Sequence, residues 1–307
     1  MNRKRVSLFL LWAVTALFST SSYGQVTLPP SLLSQSTLVF YALGDQGSGS
    51  TAQRQVAATM EEEAQRAGDL DFILLLGDNF YPNGVLSIDD PQWKSKFETI
   101  YTGPTLSTLP FIAVLGNHDH RGNQDAQVLY SQRALGSKRW KMFDRVFAVN
   151  LGQVDGKPLV RLVGLDTTDK KSFNRQGQFL RTVFSNNQKN PVWRIAAGHH
   201  PLYSIGPHGP TLAMHQQLLP AMVETKIDLY LAGHDHNLQL ISHPNAPLQV
   251  VSGGGGKSLY SLEREEDELD FALSQYGFVR VAVTPHKLTI TFFDLDGNKR
   301  YETVQEK

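Results

Sequence analysis

Cysteine is absent from this 307-residue chain. That excludes a disulfide framework, a thiol nucleophile and any thiolate metal site, so a metal would be held by nitrogen and oxygen ligands. A surplus of either charge is missing too: 29 Lys and Arg balance 29 Asp and Glu. No basic block interrupts the sequence, which argues against nucleic acid as a partner. Long apolar runs are confined to residues 1–24, where MNRKR leads into VSLFLLWAVTALF and then SSYG. This basic, apolar and small-residue succession reads as a signal peptide, with cleavage expected before Gln25. Its apolar part is shorter than the about 20 residues of a spanning helix, and a retained anchor is the alternative. Without Arg3, Lys4 and Arg5, 26 basic residues face 29 acidic ones, a net charge of about minus three. No repeat of solenoid period is found.

What the chain does have is one local form used five times. An apolar run ends in glycine and then in polar residues of the metal-ligating kind: LGDQG (43–47), LLLGDNFYPNG (74–84), LGNHD (115–119), AGHH (197–200) and AGHDH (232–236). Each alone is a common turn. Together with His120, which directly follows LGNHD, they gather six of the ten histidines into three short segments that follow apolar strands.

In chain order, residues 25–36 form a polar, proline-bearing arm, and TLVFYALG (37–44) is a buried strand. Residues 51–67 carry Val56, Met60 and Ala64 at helical spacing, with Glu61, Glu62, Glu63 and Arg66 expected in water and Gly68 as the stop. Further strands are expected at 70–77, 110–116, 160–166, 192–198 and 227–233. Trp93, Phe97 and Tyr101 repeat every four residues, a packing stripe. The stretch from 117 to about 145 reads as a polar loop, whose Tyr130, Trp140, Met142 and Phe143 cover the core or line a cleft. Helices are expected at 174–188 and around Leu212, Leu218, Leu219 and Met222. The last part is short alternating strands, and EREEDELD (263–270) is a solvated acidic stretch.

Strand, helix, strand is the opening of an α/β fold, and ligand-type residues at strand ends fall in the crevice where such folds place their sites. Asp45, Asp78, Tyr81, Asn117, His199, His234 and His236 are too many donors for one four-coordinate ion and suit two ions close together. Asp78, central in the set and with two oxygens to divide, is the natural bridge.

These segments resemble the signature of the binuclear calcineurin-like metallophosphoesterases, and the tyrosine of GDNFY narrows the likeness to purple acid phosphatases. GDQG, LGDNFYPNGV, GNHDHRGN, AGHHPLYSIGPHGP and GHDHNLQ are similar in kind and order to the small, single-domain, tartrate-resistant type. The resemblance implies a four-layer α/β sandwich over 37–304, with two facing mixed sheets and helices outside. It implies Fe(III) on Asp45, Asp78, Tyr81 and His236, and a divalent Fe, Zn or Mn on Asp78, Asn117, His199 and His234. His118 and His208 match the family's outer histidines, with Asp119 expected to orient His118 as it protonates the leaving alkoxide.

The implied reaction is hydrolysis of small phosphate monoesters by a metal-activated hydroxide in an exported, periplasmic or secreted monomer without a membrane anchor after processing. A phosphodiesterase with the same ions and a metal-containing scaffold without catalysis are the alternatives. The chain departs from the mammalian pattern in lacking its disulfide, in having only a short segment at 169–175 in place of a long loop over the site, and in carrying His200 where that pattern has tyrosine. An open site and broad substrate use follow. His120 and His200 have no assigned role at this stage.

Overall fold

The first strand, β1 (Leu38–Leu43), buries all six of its residues. Successive side chains on a strand point to opposite faces, so a strand apolar at every position needs cover on both sides. Leu38, Phe40 and Ala42 enter one apolar cluster, and Val39, Tyr41 and Leu43 enter another. The computed structural model describes residues 26–185, 190–264 and 267–307, and this pattern extends over them into two seven-stranded mixed sheets. The expected signal peptide lies outside the described residues.

One sheet runs β14 (Lys299–Glu306), β13 (Lys287–Asp294), β12 (Gly277–Val283), β1, β2 (Phe72–Leu75), β3 (Phe111–Ala113), β4 (Trp140–Lys141). Strands β1 to β4 are parallel, and β12 joins β1 antiparallel. The other runs β11 (Leu269–Leu273), β9 (Leu238–Ile241), β10 (Leu248–Ser252), β8 (Leu229–Ala232), β7 (Trp193–Ala197), β6 (Lys157–Gly164), β5 (Phe147–Val154). Strands β6, β7, β8 and β10 are parallel.

Phe40, Phe72, Leu74, Ile112 and Phe292 meet Trp193, Ile195, Leu229 and Leu231 in the core between the sheets. Helix α1 (Pro30–Ser34) lies in the amino-terminal arm and buries Leu32 in the same core. Helix α2 (Thr51–Ala67) covers the outer face of the first sheet with Val56, Ala57, Met60 and Ala64. Ser50 caps it by accepting from the Gln53 amide, and Gly68 ends it in the left-handed conformation, φ 69°. After α3 (Gln124–Gln132), the helices α4 (Phe173–Phe184), α5 (Leu212–Gln217) and α6 (Leu219–Glu224) cover the second sheet through Phe173, Leu180, Met214, Leu218 and Met222. Helices, sheet, sheet, helices is the four-layer sandwich expected above.

Several local expectations are corrected. Glu61 and Glu63 are buried, not in water: Glu61 accepts from the amides of Thr105 and Leu106 at 2.9 Å each, and Glu63 pairs with Arg66. The loop after 117 contains α3, and Tyr130, Trp140 and Met142 are core residues. Trp93, Phe97 and Tyr101 pack as expected, around one turn of π-helix at Lys94–Glu98. The helix expected over 174–188 ends at Phe184, with 186–189 outside the described residues. The one expected near Leu212 is split in two. The acidic stretch runs into the edge strand β11 at Leu269.

Candidate metal centre

Strands β1, β2 and β3 of one sheet and β7 and β8 of the other end at the same rim. Beyond them follow Asp45, Asp78 with Tyr81, Asn117, His199, and His234 with His236. The preceding glycines allow the close approach. A Cβ on Gly77, whose φ is 88°, would lie 2.8 Å from the His199 side chain, and one on Gly116 would lie 2.3 Å from Asp78 Oδ1. Asp45, Asp78 and His234 themselves stand at φ 61°, 52° and 72°, a left-handed region that costs a non-glycine residue about 1–2 kcal/mol. Such strain gathers at functional sites.

Asp45, Asp78 and His199 are buried and can place one ligand atom each within 4.8 Å of the others, a candidate metal triad. The remaining donors flank it. On one side the Tyr81 hydroxyl is 2.9 Å from Asp45 Oδ1 and 3.1 Å from His236 Nε2. On the other, His199 Nε2 is 3.0 Å from Asn117 Oδ1, 3.2 Å from His234 Nδ1 and 3.5 Å from Asp78 Oδ1. All seven expected donors therefore converge.

Backbone carbonyls fix which ring nitrogen faces the cluster. His199 Nδ1 donates to Leu76 O at 2.9 Å, and His236 Nδ1 to Ser258 O at 2.6 Å. A carbonyl only accepts, so both Nε2 atoms are turned into the site, the arrangement by which metal-ligating histidines are oriented. Burial opposes charge on both rings, yet Asp78 and Asp45 raise His199, and Asp45 raises His236. Burial likewise opposes the charge of Asp45, and His199 and His236 hold its carboxyl below the usual range. The carboxylates thus draw positive charge into this cluster. His234 is driven well below the usual histidine value by burial and then by His199 and its other imidazole neighbours, so it is neutral and ready to ligate. Burial, Asp45 and Asp78 together push the Tyr81 phenol far up, so a strongly charged cation is needed to ionise it.

Of the outer residues, His118 donates from Nδ1 to Pro82 O at 2.6 Å and packs at a tilt against Tyr81, ring centres 4.4 Å apart. Arg121 lies alongside at 3.2 Å; the shorter carbonyl contact sets the ring proton. Nε2 is 4.0 Å from Asp78 Oδ2. Asp119 does not orient this ring, which corrects the expectation. Its buried carboxylate accepts from the Gly116 and Asn79 amides and from Asn79 and Gln127 side chains, and burial and Asp78 push it up to about 7. It fastens the ligand loop. His208 is exposed and stacks on His234 at 4.2 Å. His200 is buried, its ring 4.3 Å from that of His234 and its Nδ1 bonded to the Thr167 hydroxyl. His120 binds Asp166.

Three contributors escape the sequence reading. Thr167 accepts from the amides of His199 and His200, Lys257 lies over the Tyr81 ring at 5.2 Å, and Tyr260 stacks on His236 at 4.0 Å. The glycine run SGGGG before Lys257, following a strand, is the signal that points to the last two.

Residues 39–238 match the family described as calcineurin-like phosphoesterase. Purple acid phosphatase 3 of Arabidopsis thaliana is 35% identical over 287 residues, 85% of this chain and 76% of the relative. Tartrate-resistant acid phosphatase type 5 of Sus scrofa is 31% identical over 87% of this chain and 86% of its own. Among solved structures, GAP50, the anchor in the inner membrane complex of Plasmodium, aligns with TM-score 0.80 at 25% identity, covering 89% of each chain. With strand-end donors, sandwich and sequence in agreement, the chain belongs to the calcineurin-like phosphoesterases, a metallophosphoesterase-type hydrolase related to the purple and tartrate-resistant acid phosphatases.

Proposed function

We propose that this chain is an exported phosphomonoesterase of the small, single-domain purple acid phosphatase type. Asp45, Asp78, Tyr81 and His236 hold Fe(III), and Asp78, Asn117, His199 and His234 hold a divalent Fe, Zn or Mn. The observation that carries this reading is the unequal hardness of the converging donors. Carboxylate and phenol oxygens crowd around Tyr81, whereas an amide oxygen and two imidazoles crowd around His199. The first set suits a trivalent ion and the second a divalent one. When bound, two such cations supply charge against the phosphoryl oxygens and lower the pKa of a water that serves as nucleophile.

The chain's own side chains do the rest. His118, fixed through Nδ1, presents Nε2 to the centre from the Tyr81 side and, in its doubly protonated form, gives the Nε2 proton to the leaving alkoxide, keeping the Nδ1 proton on the carbonyl. His208 approaches from the His234 side, where it is exposed enough to meet substrate. Thr167 holds the backbone of His199 in place.

The likeness to GAP50, an anchor, favours a second reading as a non-catalytic scaffold; the presence of every donor and both outer histidines ranks it lower. Hydrolysis of matched aryl mono- and diesters by the purified, metal-loaded protein tests the choice. Monoester preference at mildly acidic pH is expected. Diester preference points to a phosphodiesterase, and no turnover with two metals bound points to the scaffold. Amino-terminal sequencing of the exported product, expected to give Gln25, tests localisation.

A further inference from the structure

Asp235 stands between the donors His234 and His236 and is fully buried. Both oxygens of its carboxylate bind the loop that carries His208: Oδ1 accepts from the His208 amide at 3.2 Å, and Oδ2 accepts from the Ser204 hydroxyl. Backbone groups fix the direction of that second bond. The Ile205 amide donates to Gln239 Oε1 at 3.0 Å, which turns Gln239 Nε2 onto Ser204 Oγ at 2.9 Å. The Gly206 amide donates to the same Oγ at 3.1 Å. With both acceptor sites of the hydroxyl in use, its one proton goes to Asp235. Each carboxylate oxygen is therefore required as an acceptor. Gly206 makes room for the carboxylate, since a Cβ there would lie 2.5 Å from its carbon.

The same loop is held from the outside. The amides of Glu263 and Arg264 donate to Ile205 O at 2.8 and 3.1 Å, and the Arg264 guanidinium donates to the carbonyls of Gly206 and Pro207. Residues 257–264 reach this loop from two donors, where Lys257 N donates to Asp45 O at 2.9 Å and Tyr260 N to His236 O at 3.0 Å. His208 itself is exposed. Its ring centre lies 4.2 Å from that of His234 and 5.3 Å from that of Tyr260, and neither ring nitrogen has a hydrogen-bond partner among the described residues. The backbone, with these ring contacts, decides where the imidazole stands.

Resting on the hydrolase reading above, we propose that Asp235 and Arg264 are positioning residues that clamp this loop from inside and outside, holding His208 over the His234 edge of the centre to meet the phosphoryl group. Because Asp235 shares one short segment with two donors, the metal centre and the residue that meets substrate keep their spacing together. His208 acts on the substrate; Asp235 and Arg264 act through it.

The test is a double-mutant cycle on the metal-loaded protein with 4-nitrophenyl phosphate: wild type, Asp235→Asn, His208→Ala and the double variant. The amide keeps the size of the side chain but turns its nitrogen toward one of two donors, so one bond of the clamp is lost. Asp235→Asn should lower kcat/KM about tenfold or more, since a displacement of about 1 Å can cost about 10²-fold, with both metals retained. In the His208→Ala background the same change should alter kcat/KM by less than about twofold. Equal losses in both backgrounds, or wild-type kcat/KM in either single variant, overturn the proposal. If Asp235→Asn fails to fold or to keep its metals, Arg264→Ala takes its place in the cycle: a loss that depends on His208 supports the clamp, and no loss or an independent one overturns it. If the wild type hydrolyses nothing, the hydrolase reading fails separately, and the cycle is read from calorimetric affinity for inorganic phosphate. Coupling there supports the positioning of His208, and additivity or absence of binding overturns it.

Discussion

His199 holds Nε2 3.0 Å from the amide oxygen of Asn117, while its Nδ1 rests on the Leu76 carbonyl. With the ring neutral, two acceptors face one another, and only a proton or a cation can sit between them. Asp78 reaches the same nitrogen at 3.5 Å and acts on the Tyr81 phenol as well. Asn117→Ala should therefore weaken one ion, whereas Asp78→Ala should lose or scramble both. Metal analysis of the purified variants checks this; two ions retained in Asp78→Ala would refute the bridge.

Tyr81 sits between Asp45 and His236, its phenol driven far up by burial and both carboxylates. Ionisation by Fe(III) should give a visible charge-transfer band in the isolated protein. Tyr81→Phe should abolish the band while iron is still detected by elemental analysis. A colourless wild type with full metal and no iron would remove the purple-phosphatase assignment and leave the wider family intact.

The His118 ring is oriented by a backbone carbonyl, so His118→Ala removes the proton donor without loosening a ligand. Turnover should fall by about 10²–10⁴ fold, with both metals retained. Because the Asp119 carboxylate ties Gly116, Asn79 and Gln127 instead, Asp119→Ala should lower thermal stability and metal retention together. A normal melting temperature in Asp119→Ala would show that it does not fasten the loop.

Glu61 offers a pH test away from the centre. Burial opposes its charge, but the amides of Leu106 and Thr105 and the Gln65 side chain outweigh that and hold its carboxyl below the usual range. Its contribution is then full above the ordinary glutamate value of about 4.3 and is lost as pH falls through the lower folded-state value. Glu61→Gln should cost about 1–2 kcal/mol at neutral pH. Urea denaturation at several pH values should show the gap from wild type closing on acidification; a gap independent of pH would contradict the assignment.

All seven donors can be read from the chain because each terminates or closely follows an apolar strand ending in glycine, and parallel strands bring such ends to one rim. The two sheets are legible for the same reason: β1, β2 and β8 are apolar throughout, and β7 departs only at Arg194. Asp119 misleads because it is adjacent to His118 in sequence but points elsewhere: a 3-10 turn begins there, and successive side chains diverge. Helix α3 is hidden because it buries Gln127 and Ser131 alongside Ala126 and Val128, so no apolar stripe marks it. Glu61 is hidden because a charge in a helical pattern reads as solvent-facing until the free amides of another segment are brought to it.

Each proposed ion would draw ligands from both sheets: Asp45 and Tyr81 against His236, Asn117 against His199 and His234. The centre is then a clasp across the open rim of the sandwich, and its spacing is set by the side chains that keep the sheets apart. Trimming Trp193 or Phe292, deep in that shared core, would shift one half of the donors against the other. The colour of the iron site would register the slippage like a gauge mounted on a hinge.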